Sequence, residues 1–232
     1  MYFCIIENFK KHTLEEKKYL YCYKMTHDTG FAPNPYHGVL TLATCKPTIR
    51  RCAEEGYWIS GWAANVVQGK KQKYTDKAQR LIFLAKVEKV ISYKDYWEET
   101  EKVYAKKKQP TKSIEKGKEC FKSCGNRIVT NNDDIAFCGD NIYEPIKGKN
   151  NEFEQHENPH HDNANKAHDL SGKNVLICND FYYFGIENAL EIKNKDFVVP
   201  RCRKFSLEEN EAKTVIEYVT KNYETGVNPK KK

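Results

Sequence analysis

Two polar segments of the sequence carry the residue types that general acid–base catalysis requires. Asp140 and Asn141 follow a glycine and offer a carboxylate and an amide, and His160 and His161 lie in a polar, His-rich stretch. Imidazole changes its charge near neutral pH, which suits it to proton transfer or metal binding. The enzymatic interpretation makes Asp140 the general base and His160 or His161 the acid or a metal ligand. The alternative is a simple turn followed by solvent-exposed histidines.

A second segment, 41–51, combines the end of a strand with the start of a short helix. Thr44 and Lys46 lie at this junction, and Arg50 lies one turn further along. The free N–H groups at the start of a helix attract anions, and Lys46 adds a positive charge beside them. We therefore expect these three residues to contact a phosphate or nucleotide. The alternative is that Thr44 only caps the helix and that the arginine is solvated.

The loop 28–35 is a third candidate, because two prolines and a glycine make it a structured turn. In the functional interpretation, Asp28 and Asn34 lie at the rim of a ligand site, where the Asn34 amide both donates and accepts, and Phe31 faces the ligand. In the alternative, Asp28 and Asn34 satisfy their own backbone and the loop is only a rigid turn.

Aromatic residues form a fourth group of candidates. Trp58 and Trp62 share one face of a predicted strand and could stack on a nucleobase, an interaction of about 1–3 kcal/mol per base. Tyr183 lies at a strand end and Tyr143 follows Asn141 by two residues, so both are included as ligand-binding candidates. The alternative is that these rings form core. The stretch 66–80 adds five basic side chains against one acidic, a net of 5 − 1 = +4, and could contact phosphates.

Strong catalytic signatures are missing from the sequence. It contains no phosphate-binding GxxxxGK[ST] loop, dinucleotide glycine fingerprint, nucleophile elbow or paired CxxC motif. Cys120, Cys124 and Cys138 match zinc spacing poorly and lack a clear fourth ligand. The nine cysteines are scattered and odd in number, which favours reduced thiols over a disulfide framework. We therefore predict no metal site, and the sequence identifies no cofactor.

The overall composition narrows the class of protein and of partner. The chain has 232 residues, enough for one large domain or two small ones, and a formal net charge of +7. A positive balance favours a polyanionic partner, so we expect a nucleotide or nucleic acid. No run approaches the roughly 18 apolar residues that a membrane helix needs, and no signal-peptide pattern is found. The expectation is a soluble, cytoplasmic protein without a membrane partner.

Strand patterns precede the main helix patterns without a βαβ alternation, which predicts an α+β fold. Its core is expected to be a small, strongly bent sheet or a β-barrel with flanking helices. Short helices are predicted from 45–56 and from 92–106, the latter capped by Ser92. Strands are predicted at 18–26, 39–44, 57–62, 80–91, 127–129, 135–138 and 174–178.

The predicted domain spans 1–205 and carries two long polar loops, near 105–122 and 146–168. The first loop holds seven lysines and two glutamates, a net of 7 − 2 = +5. Residues 206–226 are predicted to form an amphipathic helix on the same domain, with Ser206 and Glu209 as a capping box. Residues 227–232 are expected to be a disordered basic tail.

Several motifs resemble the nucleotide modification associated domain 2 family. They are DTGFAPNP at 28–35, GVLTLATCKPTIRR at 38–51, GYWISG at 56–61, RLIFLAKV at 80–87, YW at 96–97, GDNIY at 139–143 and FYYFG at 181–185. The similarity spans roughly residues 20–195, and the first and the last two motifs are the specific ones. The family pattern has Asp where Tyr57 stands here, so a role for that carboxylate does not carry over.

The resemblance implies a link to systems that modify nucleotides or handle modified ones. The order of strand, helix, Gly-x-Trp and long strand is more weakly similar to PUA and EVE barrels, which imply an aromatic pocket for an extruded, often modified, base. The preferred hypothesis is a nucleotide-binding or modified-base-binding domain. Its rivals are an enzyme that modifies a base or nucleotide and a non-catalytic interaction module. In the preferred hypothesis the converging residues are Asn34, Thr44, Lys46, Asp140 and Asn141, near Trp62 and Tyr183.

Overall fold

The computed structural model of the chain describes residues 17–35, 38–67, 70–71, 79–98, 139–156, 158, 160–193, 199 and 201–232. Strands and helices are both present and the main sheet is bent, which confirms the predicted α+β class. Across these ranges the strands close no barrel, so the open sheet is the alternative that the structure supports.

The largest part of the fold is a mixed sheet of seven strands. The strands are β1 (Tyr19–Met25), β3 (Trp58–Ala63), β6 (Gln79–Lys86), β11 (Phe181–Tyr183), β12 (Leu190–Ile192), β13 (Cys202–Ser206) and β14 (Gly226–Val227). They lie in the order β13-β1-β3-β6-β11-β14, with β12 also paired to β6. The β1–β3 and β11–β14 pairs are parallel and the other pairs are antiparallel.

Both faces of this sheet are buried because side chains alternate between two core clusters. On β1, Tyr21 and Tyr23 pack into one cluster and Leu20 and Cys22 into the other. The first cluster, here called the inter-sheet core, also contains Leu40, Leu42, Leu176 and Cys178 from a second sheet. That sheet has the order β2-β10-β7, formed by β2 (Leu40–Leu42), β7 (Lys89–Ser92) and β10 (Asn174–Cys178).

The predicted strand 80–91 is divided between the two sheets. Strand β6 ends at Lys86 and β7 begins at Lys89. Of the two residues between them, one bonds to the residue just before β3 and the other bonds to β10. The Val87 amide donates to the Tyr57 carbonyl at 2.7 Å, and the Glu88 amide donates to the Ile177 carbonyl at 2.9 Å. The chain therefore passes from one sheet to the other at this point.

Four helical segments are described: α1 (Pro47–Cys52), α2 (93–98), α3 (Asn163–Leu170) and α4 (Asn210–Asn222). The amphipathic pattern predicted for the last helix is confirmed, since Ala212, Val215 and Val219 are buried in the second core cluster. This helix begins later than predicted because Ser206 still belongs to β13. Ser206 and Glu209 do bond, with the Ser206 amide donating to Glu209 Oε1 at 2.7 Å.

The structure differs from the prediction of a long polar loop over 146–168. Residues 143–155 form a hairpin of β8 (Tyr143–Pro145) and β9 (Phe153–Gln155), and α3 starts at Asn163. Phe153 anchors the hairpin in the core, and a capping box between Asp162 and Asn165 starts α3 despite its polar composition. A further short ladder joins β4 (Val66–Val67) to β5 (Lys70–Lys71).

The C-terminal residues also differ from the expected disordered tail. Strand β14 pairs with β11, residues 223 and 231 form a β-bridge, and the Lys232 amide donates to the Asn222 carbonyl at 2.8 Å. The tail is therefore hydrogen-bonded to the folded domain. The predicted loop 105–122 and the predicted strands 127–129 and 135–138 lie outside the described residues.

Candidate functional site

Cys45, His161 and Asp169 form a hydrogen-bonded chain between three parts of the sequence. Cys45 Sγ lies 3.4 Å from His161 Nε2, and His161 Nδ1 lies 2.6 Å from Asp169 Oδ2. The Asp169 side chain is fully buried, whereas 12% of the His161 side chain is exposed. A thiol, an imidazole and a carboxylate in this order are the components of a nucleophile, its base and the group that orients the base.

Cys45 lies in the tight connection between β2 and α1. Cys45 and Lys46 both have left-handed backbone conformations, with φ angles of 56° and 41°, and Pro47 then begins the helix. Residues other than Gly, Asn and Asp seldom adopt left-handed backbone angles, so contacts with surrounding residues must stabilise this turn. One such contact is the Cys45 amide, which donates to Asp169 Oδ1 at 2.7 Å. The thiol is therefore presented by a strained turn that Asp169 fixes.

Asp169 lies on the last turn of α3 and accepts from three groups. Besides His161 and the Cys45 amide, the Tyr143 hydroxyl donates to Oδ2 at 2.7 Å. Burial alone would raise the pKa of this carboxyl, but the bonds from His161 and Tyr143 outweigh that effect and lower it. The carboxylate thus stays ionised and available to orient the imidazole.

His161 is held in place by the loop that precedes α3. Asn158 Oδ1 accepts from the His161 amide at 2.7 Å, and Gln155 Nε2 donates to the His161 carbonyl at 2.9 Å. The ring also meets the edge of Phe31, with centroids 5.1 Å apart. Burial alone would lower the pKa of His161, but bonds to Asp169 and Cys45 raise it to about 9. The imidazole is therefore protonated at neutral pH and lies beside a thiol.

Arg50 lies beneath this site and acts as a scaffold. Its side chain is fully buried and donates to the carbonyls of Cys45, Asn174 and Asp169 and to the Tyr93 hydroxyl. These bonds occupy the guanidinium with protein acceptors, which argues against the predicted contact between Arg50 and a ligand. Arg50 instead ties α1 to α3 and so fixes the distance between the Cys45 turn and Asp169.

Asp140 is fully buried against β2, the strand that leads to Cys45. Its carboxyl accepts from the Thr41 hydroxyl at 2.8 Å, the Tyr96 hydroxyl at 2.9 Å and the Ala43 amide at 3.3 Å. Burial raises the pKa of Asp140 to about 7, against the effect of these bonds. The neighbouring Asn141 is also buried, and its Nδ2 donates to the Tyr96 carbonyl at 3.3 Å.

Two of the predicted ligand-binding residues bond to each other. The Tyr183 hydroxyl donates to Asp28 Oδ1, and the Ile186 amide donates to Asp28 Oδ2 at 2.7 Å. Burial raises the pKa of Asp28, although both bonds oppose the shift. Together they tie the loop 28–35 to the end of β11.

The remaining predicted residues divide between the two sides of the large sheet. Trp62 is fully buried in the second core cluster, and its Nε1 donates to Ser60 Oγ at 2.8 Å. Trp62 therefore faces away from Cys45, which argues against its predicted role as a stacking platform. On the Cys45 side, Asn34 and Thr44 are fully buried, the Lys46 ammonium lies 4.7 Å from the Tyr23 ring centroid, and His160 stacks on Phe31 at 4.6 Å.

The chain as a whole matches a model of one protein family. The match covers residues 17–230 and is described as nucleotide modification associated domain 2. The chain belongs to this family. The family's name points to a role in nucleotide modification. No curated protein and no solved structure matches the chain. No helix in the described ranges is long and apolar enough to cross a membrane.

In this member of the nucleotide modification associated domain 2 family, the three site residues do not fit a metal well. Their ligand atoms all lie within 4.8 Å of one another. However, the Asp169 carboxylate is already used by His161, Tyr143 and the Cys45 amide. Two atoms of the group are then left as possible metal ligands, Cys45 Sγ and His161 Nε2, whereas a catalytic zinc site has three protein ligands. The arrangement suits proton transfer better than metal binding.

The sequence predicts His161 as a candidate, with His160 as its alternative, but it predicts neither Cys45 nor Asp169. Cys45 falls under the general expectation of reduced thiols, and Asp169 has no local signal that separates it from other acidic residues. One signal was present for Cys45. Pro47 at the first helical position leaves only four residues, 43–46, between β2 and α1, and such a short connection keeps Cys45 near the end of the strand.

Proposed function

We propose that this protein modifies a nucleotide or nucleobase, with Cys45 as nucleophile and His161 as general acid and base. The carrying observation is the continuous chain from Cys45 Sγ through the imidazole to the buried Asp169 carboxylate. A protonated imidazole 3.4 Å from the sulfur can stabilise negative charge that develops there, and cysteine reacts as its thiolate. The family name supplies the nucleotide as the substrate class.

The chemical step is an addition across a double bond of the base. The Cys45 sulfur attacks as the thiolate beside the protonated His161 and forms a bond to an electron-poor ring carbon. The π-electron pair of that carbon moves to the adjoining ring atom, which takes the proton from His161. Water then adds to the neighbouring ring carbon that bears an exocyclic amino group, and that group leaves as ammonia. The added ring proton returns to His161 and the Cys45 sulfur departs with its electron pair, which restores the double bond. The net reaction is a hydrolytic deamination, which consumes no oxidant or reductant.

One contact argues against acyl transfer at this thiol. In the serine protease triad, the backbone N–H of the nucleophilic residue helps to stabilise the oxyanion. Here the Cys45 amide donates to Asp169 Oδ1 at 2.7 Å and is engaged. Addition to a base differs, because the negative charge develops on a ring atom. The protonated His161 can neutralise that charge, so no backbone N–H donor is needed.

The rival mechanism with Asp140 as general base has weaker support. Asp140 is fully buried and accepts from Thr41, Tyr96 and Ala43, so a substrate would have to displace part of this network. Non-catalytic binding of the same ligands remains the simpler hypothesis, and it differs in one respect: it does not require Cys45 to be reactive.

The experiment compares nucleosides from cells that express the full chain, its Cys45→Ser variant or no protein, by mass spectrometry. The proposal expects a changed nucleoside with the wild type only. Cys52→Ser is the matched control, because Cys52 is exposed and lies outside the hydrogen-bonded chain. A wild-type product that persists in Cys45→Ser would remove Cys45 from the mechanism. Unchanged nucleosides together with measurable nucleotide binding would favour the non-catalytic hypothesis.

A further inference from the structure

Two buried hydroxyl groups beside Cys45 have no hydrogen-bond partner among the described residues. They are Thr44 Oγ1 and the Tyr23 hydroxyl, and the two residues are 0% and 1% exposed. Buried polar atoms in folded proteins are nearly always hydrogen-bonded, because an unpaired one keeps the cost of its desolvation without compensation. Two such atoms in residues around one short turn call for a physical reason.

Both residues lie around the turn that carries the proposed nucleophile. Thr44 directly precedes Cys45 in the chain. Tyr23 packs in the inter-sheet core with Leu40 and Leu42 of β2, the strand that leads to Cys45. The Lys46 ammonium lies 4.7 Å from the Tyr23 ring centroid, so the residue after Cys45 lies over this tyrosine. Two residues with unpartnered hydroxyls, a thiol and a cation therefore lie around the end of β2.

The third unpartnered atom of this kind, Gln155 Oε1, is also linked to the site. The amide nitrogen of Gln155 donates to the carbonyls of His161 and Asp162, at 2.9 and 3.1 Å. All three unpartnered atoms of the described residues therefore belong to residues in or next to the surroundings of Cys45 and His161. A purely structural role would leave this coincidence unexplained.

We infer that the Tyr23 and Thr44 hydroxyls are the substrate-recognition groups of the site and bind the hydrogen-bonding edge of a nucleobase. The inference rests on the proposed function and names the groups that select its substrate. A hydroxyl both donates and accepts, so two of them match an edge that alternates carbonyl oxygen, ring nitrogen and amino group. Lys46 would leave the Tyr23 ring for a phosphate of the same ligand, which exposes the recognition groups only when a nucleotide binds.

The test uses Tyr23→Phe and Thr44→Val, which remove each hydroxyl and keep the shape. Titration calorimetry with the four deoxynucleoside monophosphates measures binding by the full chain. We expect each variant to bind its best ligand about tenfold more weakly, as for one lost hydrogen bond. The melting temperature of the unliganded variants should hold or rise, because an unpaired polar atom has been removed.

Tyr93→Phe is the control, since the Tyr93 hydroxyl is buried and bonded to the carbonyls of Ala43 and Asp169. It should lower the melting temperature. Wild-type affinity in both hydroxyl variants, or no binding of any of the four monophosphates to the wild type, would overturn the inference. Cys45→Ser separates the two proposals: if it keeps turnover while the hydroxyl variants lose affinity, the proposed nucleophile is wrong and the recognition groups stand.

Discussion

At the scale of single residues, Asp169 links the reactive side chains. It accepts from the Cys45 amide, the His161 ring and the Tyr143 hydroxyl, so one buried carboxylate sets both the backbone turn and the imidazole. Burial and the neighbouring Asp169 carboxylate together raise the pKa of the Tyr143 hydroxyl, so this group stays protonated and can donate to Asp169. A substitution at Asp169 would therefore disturb the turn and the base together.

Asp140 gives a prediction about pH and stability. Burial raises its pKa to about 7, above the value in an unfolded chain. Between about pH 4 and pH 7 the carboxyl is therefore protonated in the folded protein and ionised in the unfolded chain. Its contribution to the free energy of unfolding is complete below pH 4 and is lost as the pH rises towards 7. The loss amounts to at most about 1.4 kcal/mol for each pH unit of that window.

Asp140→Asn should remove this dependence. Urea unfolding at pH 4, 5, 6 and 7 would show the variant gaining stability relative to the wild type as the pH rises. Thr41→Val, which deletes one donor to the carboxyl but keeps the titrating group, is the comparison. A stability difference between Asp140→Asn and the wild type that stays constant over this range would contradict the assignment.

At the scale of elements, the contact between α1 and α3 positions the thiol against its base. Arg50 on α1 fits because Gly172, just after α3, has no side chain. A Cβ there would lie 2.4–2.6 Å from the guanidinium atoms. The guanidinium has no room to move, since it donates to carbonyls on both sides of this contact.

Gly172→Ala should therefore destabilise the protein by about 1–3 kcal/mol through overpacking. Denaturant unfolding measures this change. Ser171→Ala, at the preceding residue, should stay within about 0.5 kcal/mol because its hydroxyl bonds only to an exposed helix end. Equal stabilities for the two variants would mean that the α1–α3 contact is looser than the geometry indicates.

Elements with a strong local signal could be predicted from the sequence. The alternation of Tyr21 and Tyr23 with Leu20 and Cys22 predicts β1, and the apolar period of 212–219 predicts α4. Helix α3 was missed because its start depends on a capping box in a polar segment rather than on an apolar face.

The candidate site was only partly predictable because its partners are distant in the chain. His161 has a local signal, since it lies in a His-rich stretch. The contact between Cys45 and Asp169 spans 124 positions and exists only after both sheets and α3 have packed. The full burial of Arg50 and Trp62 could not be predicted either, because a buried guanidinium or indole has the same sequence signature as an exposed one.

At the scale of the whole molecule, the net charge of +7 gives a prediction about salt. If the protein binds a single-stranded nucleic acid through three phosphates, the logarithm of the affinity plotted against the logarithm of the salt concentration has a slope of about −2. Binding of a single-stranded DNA oligonucleotide should then weaken by about 16-fold between 50 and 200 mM salt. Fluorescence anisotropy measures this change. A flat response would indicate that a free nucleotide, and not a strand, is the partner.

The central claim is that Cys45, His161 and Asp169 act as one unit. It is tested most directly by the rate at which iodoacetamide alkylates each cysteine at pH 7, located by peptide mass spectrometry. Cys45 should react faster than the exposed Cys52 and Cys202, and His161→Gln should abolish the difference while leaving the other two rates unchanged. Alkylation of Cys45 at the same rate as the exposed thiols, or at a rate indifferent to His161, would contradict the account.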